Sequence, residues 1–292
     1  MTDEPLPFQP LIIIGAARSG TNALRDMLTR LPGFGTWPCD EINAVWRHGN
    51  LRHPSDALPP ERATAEIRSF VRGAFVAAWR RQGHPDILVE KTCANTLRVP
   101  FVDAILPEAH FVHILRDGRA VVPSAMKRWR GELELPALGY YLRKLRYVPL
   151  IDLPVYAGRY LKNRIALRSG SAPRMAMWGP RPDGFRADPE VPLDVLCARQ
   201  WGQCVTSAST ALADIAPDRR ITITYERMVA NPATVLTEIA GMLGRSPSPD
   251  DIGAASDMIR RGAARDLPPL SSEAEAHIAS VHVAQQGGGD AA

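Results

Sequence analysis

The chain is short of cysteine pairs, of long apolar runs and of net charge, and each shortage removes a class of protein. Its four cysteines, Cys39, Cys93, Cys197 and Cys204, are scattered and include no CxxC pair, so neither a zinc site nor a disulfide framework is signalled. Reduced thiols in a cytosolic protein are the expectation. No apolar stretch approaches the roughly 20 residues a membrane helix needs, and "MTDEPLPFQP" has none of the basic and apolar segments of a signal peptide. These absences point to a cytoplasmic protein. With 35 Lys and Arg against 31 Asp and Glu, the positive excess is too small to imply a nucleic-acid partner. A local anionic ligand is the better inference. There is no internal repeat, and the low-complexity tail "AQQGGGDAA" is expected to be disordered.

The 292 residues suffice for a single large domain with a substantial core. We place it at 11–270, after a short extension (1–10) and before a C-terminal helix and tail (271–292). Residues 11–14 form a continuous aliphatic run, the pattern of a strand buried on both faces of a parallel sheet. The helix that follows carries Leu24, Leu28 and Leu31 on one stripe, with Met27 alongside, and stops at "LPGFG". Further strands are predicted at 86–92, 109–117 and 219–226, with helices at 61–81, from 118 onward, and at 192–216. Strands alternating with helices give an α/β fold: a P-loop-like three-layer sandwich whose mainly parallel central sheet is flanked by helices. In such sheets ligands sit at the carboxyl ends of the strands. Residues 130–190 break the rhythm and read as a helical or irregular insertion.

The turn after the first strand, within "LIIIGAARSGTNALRDML", carries Gly15, Arg18, Ser19, Gly20 and Thr21. A strand-to-helix turn offers unpaired N–H groups and the positive end of the helix dipole. Glycines let the backbone curl around a ligand, while the hydroxyls and Arg18 add donors and charge. Such a turn suits a phosphate. Gly15 and Gly20 have the glycine spacing of the triphosphate loop GxxxxGK[ST], but Thr21 stands where the lysine should be, which argues against an ATP or GTP loop.

"GAARSGTNAL" resembles the 5′-phosphosulfate loop of the sulfotransferases. "VHILRDGRAVVPSAM" is similar to that superfamily's second motif, and "LVEKTCANTLRVPF" to the EKTP-N-R pattern of its bacterial and tyrosylprotein branch. A fourth, weaker likeness lies in "ITYERMVANPATVLTEIAGMLG". At motif level the resemblance covers 11–129 and 191–245; Cys93 stands where most relatives have proline. It implies 3′-phosphoadenosine 5′-phosphosulfate (PAPS) as sulfuryl donor, with Arg18, Ser19, Gly20, Thr21 and Asn22 on the 5′ side. Arg116 and Ser124 are implied on the 3′-phosphate, and Tyr225 near the nucleotide.

Sulfuryl transfer resembles phosphoryl transfer in building charge on a leaving oxygen, so positioning and electrostatics supply most of the rate, and no metal is required by that logic. Arg18 and Lys91 are the natural stabilisers. By resemblance Lys91 contacts the sulfuryl group or its leaving oxygen. A general base for the acceptor is expected from Glu41 or Asp40, with Glu41 favoured and His48 and His53 as rivals. Glu90 reads better as a structural partner of a neighbouring cation. Asn95 and Arg98 match the family's Asn and Arg, although Arg98 could also sit on a solvated helix face. Arg260, Arg261 and Arg265 form a late basic cluster that either closes over the 3′-phosphate or is plain surface charge.

Five tyrosines interleave with basic residues over 139–168. They could stack on sugar rings, lie on an anionic membrane surface, or pack as a helical lid. The expected acceptor is a hydroxyl, or with less support an amine, of a carbohydrate, glycolipid or secondary metabolite. Two alternatives stay open: a small-molecule kinase of related fold, and a non-catalytic nucleotide-pocket module that binds a glycan or lipid.

Overall fold

The computed structural model describes residues 4–131, 152, 158, 178–259 and 267–289. Five strands, β1 (Gln9–Ile14), β2 (Phe34–Thr36), β3 (Ile87–Lys91), β4 (His110–Leu115) and β5 (Arg220–Thr224), form one sheet in the order β2-β3-β1-β4-β5. Every adjacent pair is parallel.

The aliphatic run of β1 is continuous because alternate side chains enter different layers. Leu11 and Ile13 pack with Leu24, Met27 and Leu28 of α1 (Thr21–Leu28) and with Val235, Leu236 and Ile239 of α8 (Pro232–Met242). Ile12 and Ile14 face the opposite layer. There they join Trp46 of α2 (Asn43–Trp46), Val71 and Phe75 of α3 (Ala65–Arg81), Phe101 and Val102 of α4 (Val99–Ile105), and Leu212 of α6 (Leu193–Ala213). A third cluster joins α5 (Gly118–Trp129) to α6 and to α10 (Ser272–Gly289), through Val122, Trp129, Trp201 and Ile278. The short helices α7 (Tyr225–Ala230) and α9 (Pro249–Ser256) complete the order.

Two boundaries differ from the sequence reading. Phe8 is buried and stacks on Trp79 with ring centroids 5.6 Å apart, so the end of the expected extension belongs to the core. The tail expected to be disordered is helical as far as Gly289. Packing of Ala274 and Ile278 supplies the helix nucleus, after which each added residue gains a backbone bond. Among the described residues no helix is long and apolar enough to cross a membrane. The tyrosine-rich part of the insertion and the Arg260, Arg261 and Arg265 cluster lie outside the described residues. Residues 178–183 dock back on the core: Asp56 exchanges hydrogen bonds with the Arg181 backbone, and Gln200 donates to the Trp178 and Pro180 carbonyls.

With β1 between β3 and β4 and β5 beside β4, four strand ends meet at one edge. Ile13 is paired with Lys91, Ile14 with His113, and Leu115 with Thr224. The first turn, Lys91, Arg116 and Tyr225 therefore emerge side by side.

Candidate active site

The first turn is tightly formed. A Cβ on Gly15 would come within 2.7 Å of the Ile114 side chain and 2.8 Å of Thr21, so only glycine lets β4 approach here. Arg18 (φ 74°) and Gly20 (φ 91°) are both left-handed, which curls the backbone around Ser19. No side chain caps α1 at Gly20, which leaves its leading N–H groups for an anion. The Ser19 hydroxyl and the Arg116 Nε are buried without a hydrogen-bond partner among the described residues. Buried donors of that kind are costly unless a ligand or water meets them.

On one side of the turn the Arg18 Nε donates to the Ser124 hydroxyl at 2.8 Å, and Arg116 donates to the Arg18 carbonyl at 3.0 Å. The Arg116 guanidinium lies 4.0 Å from the centroid of Tyr225, whose ring in turn sits against Gly20. Burial, together with the charges of Arg128 and Arg116, holds the Arg18 guanidinium below its ordinary range. Arg128 was not among the residues singled out from the sequence. It lies four residues after Ser124 on α5, and that spacing was the available signal.

On the other side the Thr21 hydroxyl is 3.9 Å from the Cys93 sulfur, and Lys91 Nζ donates to Glu41 at 3.2 Å. The Cys93 backbone N–H also points to Glu41, at 3.4 Å. Burial favours the neutral amine of Lys91, but the carboxylates of Glu41 and Asp40 outweigh this and raise its pKa. The Cys93 thiol is pushed up by burial and then by Glu41, which makes it a neutral group at ordinary pH. Asp40 is held by other partners: Arg25 donates to it at 2.6 Å and Asn22 at 3.4 Å. Burial alone would raise its pKa, yet Lys91 and Arg25 keep it below the usual carboxylate range.

The rival bases are tied elsewhere. His48 bonds Asp152 at 2.9 Å and stacks on Phe70, and His53 lies 3.1 Å from the Ser55 carbonyl. Arg98 is 1% exposed, not on a solvated face, and donates to Asn95 and Asn43. Glu90 is partnered by Thr92 and Asn95 rather than directly by a cation. A cavity of about 850 Å³ lies between α6, α10 and the 182–191 segment. Its lining includes Leu97 and His277 but none of the residues just placed around the first turn.

Fold and site together define an α/β protein with a mainly parallel sheet and a donor-rich turn that joins its central strand to the first helix. Residues 10–147 match the model of the sulfotransferase family. The fold is similar to that of solved sulfotransferases. One is the sulfotransferase domain from the curacin biosynthetic pathway, 14% identical, covering 96% of this chain and 99% of that one, with a TM-score of 0.52. Another, from Alicyclobacillus acidocaldarius, is 13% identical, covers 96% and 93%, and has a TM-score of 0.52. STF1 from Mycobacterium tuberculosis H37Rv is 13% identical, covers 94% and 77%, and has a TM-score of 0.53. Comparison with curated proteins gave no match.

Proposed function

We propose that the protein transfers the sulfuryl group of PAPS to a hydroxyl of a small-molecule, glycan or glycolipid acceptor. The observation that carries this reading is the first turn. It sets a buried, partnerless Ser19 hydroxyl and the partnerless Arg116 Nε beside Arg18, with Arg128 adding like charge, inside the segment that matches the family. A set of donors and cations of this kind fits a ligand with two separated phosphate positions. The 5′ phosphosulfate would be held by the backbone of the turn with Arg18, Ser19, Gly20, Thr21 and Asn22. Arg116 and Ser124 would take the 3′-phosphate, and Tyr225 would lie near the nucleotide.

In this reading PAPS supplies the activated sulfuryl group, and the chain's residues supply position and charge. Lys91, kept protonated, stabilises the oxygen that leaves with the nucleotide, and Arg18 does so from the opposite side of the turn. Glu41, beside Lys91, takes the proton of the acceptor hydroxyl. Asp40, saturated by Arg25 and Asn22, helps to keep Lys91 charged.

The test is a thermal-shift titration with 3′-phosphoadenosine 5′-phosphate beside magnesium-ATP, since a ligand that prefers the native state raises its melting temperature. Stabilisation by the bisphosphate, followed by loss of transfer in Arg18→Ala and Lys91→Ala, is the expected result. Stabilisation by magnesium-ATP alone would move the assignment to a kinase. Full transfer by both folded variants would overturn the roles given to the two residues.

A further inference from the structure

We propose that Glu90 is a positioning residue that holds the Glu41 segment in place through two hydrogen-bonded arms, one through Thr92 and one through Asn95 and Arg98. The inference rests on the sulfuryl-transfer reading of Glu41 and Lys91.

Adjacent strand residues point to opposite faces. At the end of β3, Lys91 reaches Glu41 on one side, while Glu90 turns into the opposite layer, where it is 1% exposed. Its two oxygens are divided between the arms. Oε1 accepts from the Thr92 hydroxyl at 2.5 Å, and Oε2 accepts from the Asn95 side-chain amide at 2.9 Å.

The directions of both arms follow from donor chemistry. A hydroxyl has one hydrogen; with it committed to Glu90, the Thr92 oxygen presents lone pairs to the Ile42 backbone N–H, 3.1 Å away. Asn95 points its NH₂ at the carboxylate, so its carbonyl oxygen faces Arg98, whose Nε donates to it at 2.9 Å. Arg98 then donates from Nη2 to the Asn43 side-chain oxygen at 2.6 Å. One arm therefore ends on Ile42 and the other on Asn43, the two residues that follow Glu41.

A carboxylate is required at the origin because both of its partners there are donors. Glutamine of the same shape would turn an NH₂ toward one of them and leave that arm reversed or broken. Burying a carboxylate is also unfavourable unless its bonds are made. A residue serving only to fill this space would be better apolar. The arrangement thus ties a buried acid beneath the sheet edge to the backbone that carries Glu41, the proposed base.

The experiment compares Thr92→Val, Thr92→Ser and Glu90→Gln in the full chain. Three readouts are taken: affinity for 3′-phosphoadenosine 5′-phosphate, the rate at which PAPS releases that bisphosphate with water as acceptor, and hydrogen exchange of the Ile42 amide. Expected are a tenfold or greater fall in kcat for Thr92→Val and Glu90→Gln, with bisphosphate affinity and KM within twofold of wild type. Ile42 exchange should accelerate at least tenfold in the same two variants, and Thr92→Ser should recover most of the rate and the protection.

The proposal is overturned if Thr92→Val behaves like Thr92→Ser in rate and exchange, or if bisphosphate affinity falls in step with kcat. Should Glu90→Gln fail to fold, the valine and serine pair still decides. If the wild-type chain neither binds the bisphosphate nor releases it from PAPS, the donor assignment fails, while Ile42 exchange separately decides whether the arm exists.

Discussion

Replacing Glu90 by Gln should flatten the dependence of stability on pH just below neutrality. Burial is the main cause of the rise in the Glu90 pKa from an ordinary 4.5 to about 7, with the charge of Glu41 adding to it and the Thr92 hydrogen bond and Arg98 opposing it. Below 4.5 the carboxyl is protonated whether the chain is folded or not, and the native state has its full advantage. Between 4.5 and 7 the native state keeps a proton that the unfolded chain releases, so stability falls as pH rises, and above 7 the loss is complete. At about 1.4 kcal/mol per pH unit, that interval corresponds to roughly 3 kcal/mol. With an unfolding entropy of about 2.1 cal/mol/K per residue, the whole chain would register this as a melting-temperature change of about 5 °C. Thermal melts at half-unit steps from pH 4.5 to 8 measure it as the wild-type decline minus that of Glu90→Gln. Curves for the two proteins that run parallel over this window would refute the claim that burial raises the Glu90 pKa in the folded chain.

Gly20→Ala should lower stability by about 2–4 kcal/mol, because its Cβ would lie 2.3 Å from the Tyr225 ring at a left-handed φ of 91°. A melt of the variant checks this, and adding Tyr225→Ala should return part of the loss. Glu41→Gln should reduce kcat by about 100-fold with bisphosphate affinity little changed, while Asp40→Asn should cost less than about tenfold, if Glu41 takes the acceptor proton as proposed. Equal losses in steady-state assays of the two would contradict that division. Ser124→Ala should weaken the bisphosphate by about tenfold without affecting adenosine 5′-phosphate, which lacks the 3′ group; calorimetric titration distinguishes the two.

The scaffold was legible because its signals are local. The aliphatic runs of β1, β3 and β4 and the leucine stripe of α1 announce themselves by period, and the strand-turn-helix composition marked out the first turn. β2 was not legible: three residues, Phe34–Thr36, one of them glycine, carry no alternation. Arg18, Arg116, Ser124 and Tyr225 were named from motifs, and the chain brings them together. The partition between Asp40 and Glu41 was open because it depends on Arg25, which sits on the helix before the loop and captures Asp40. Least visible was the burial of Glu90, Asn95 and Arg98. A charged residue three positions after a polar one reads as surface, and only the packing of α2, α3 and α4 over that face removes it from water.

Arg18 occupies a backbone conformation in which a side chain other than glycine costs on the order of 1 kcal/mol, and it does so between the like charges of Arg116 and Arg128. Glycine at this position would relieve the backbone and the repulsion together. A laboratory screen that rewards heat resistance alone should therefore accumulate Arg18→Gly, and a screen that rewards sulfuryl transfer should restore the arginine. The first turn is thus a point where durability and activity select different residues, and unliganded protein recovered from the two screens should differ in melting temperature in the direction opposite to its rate.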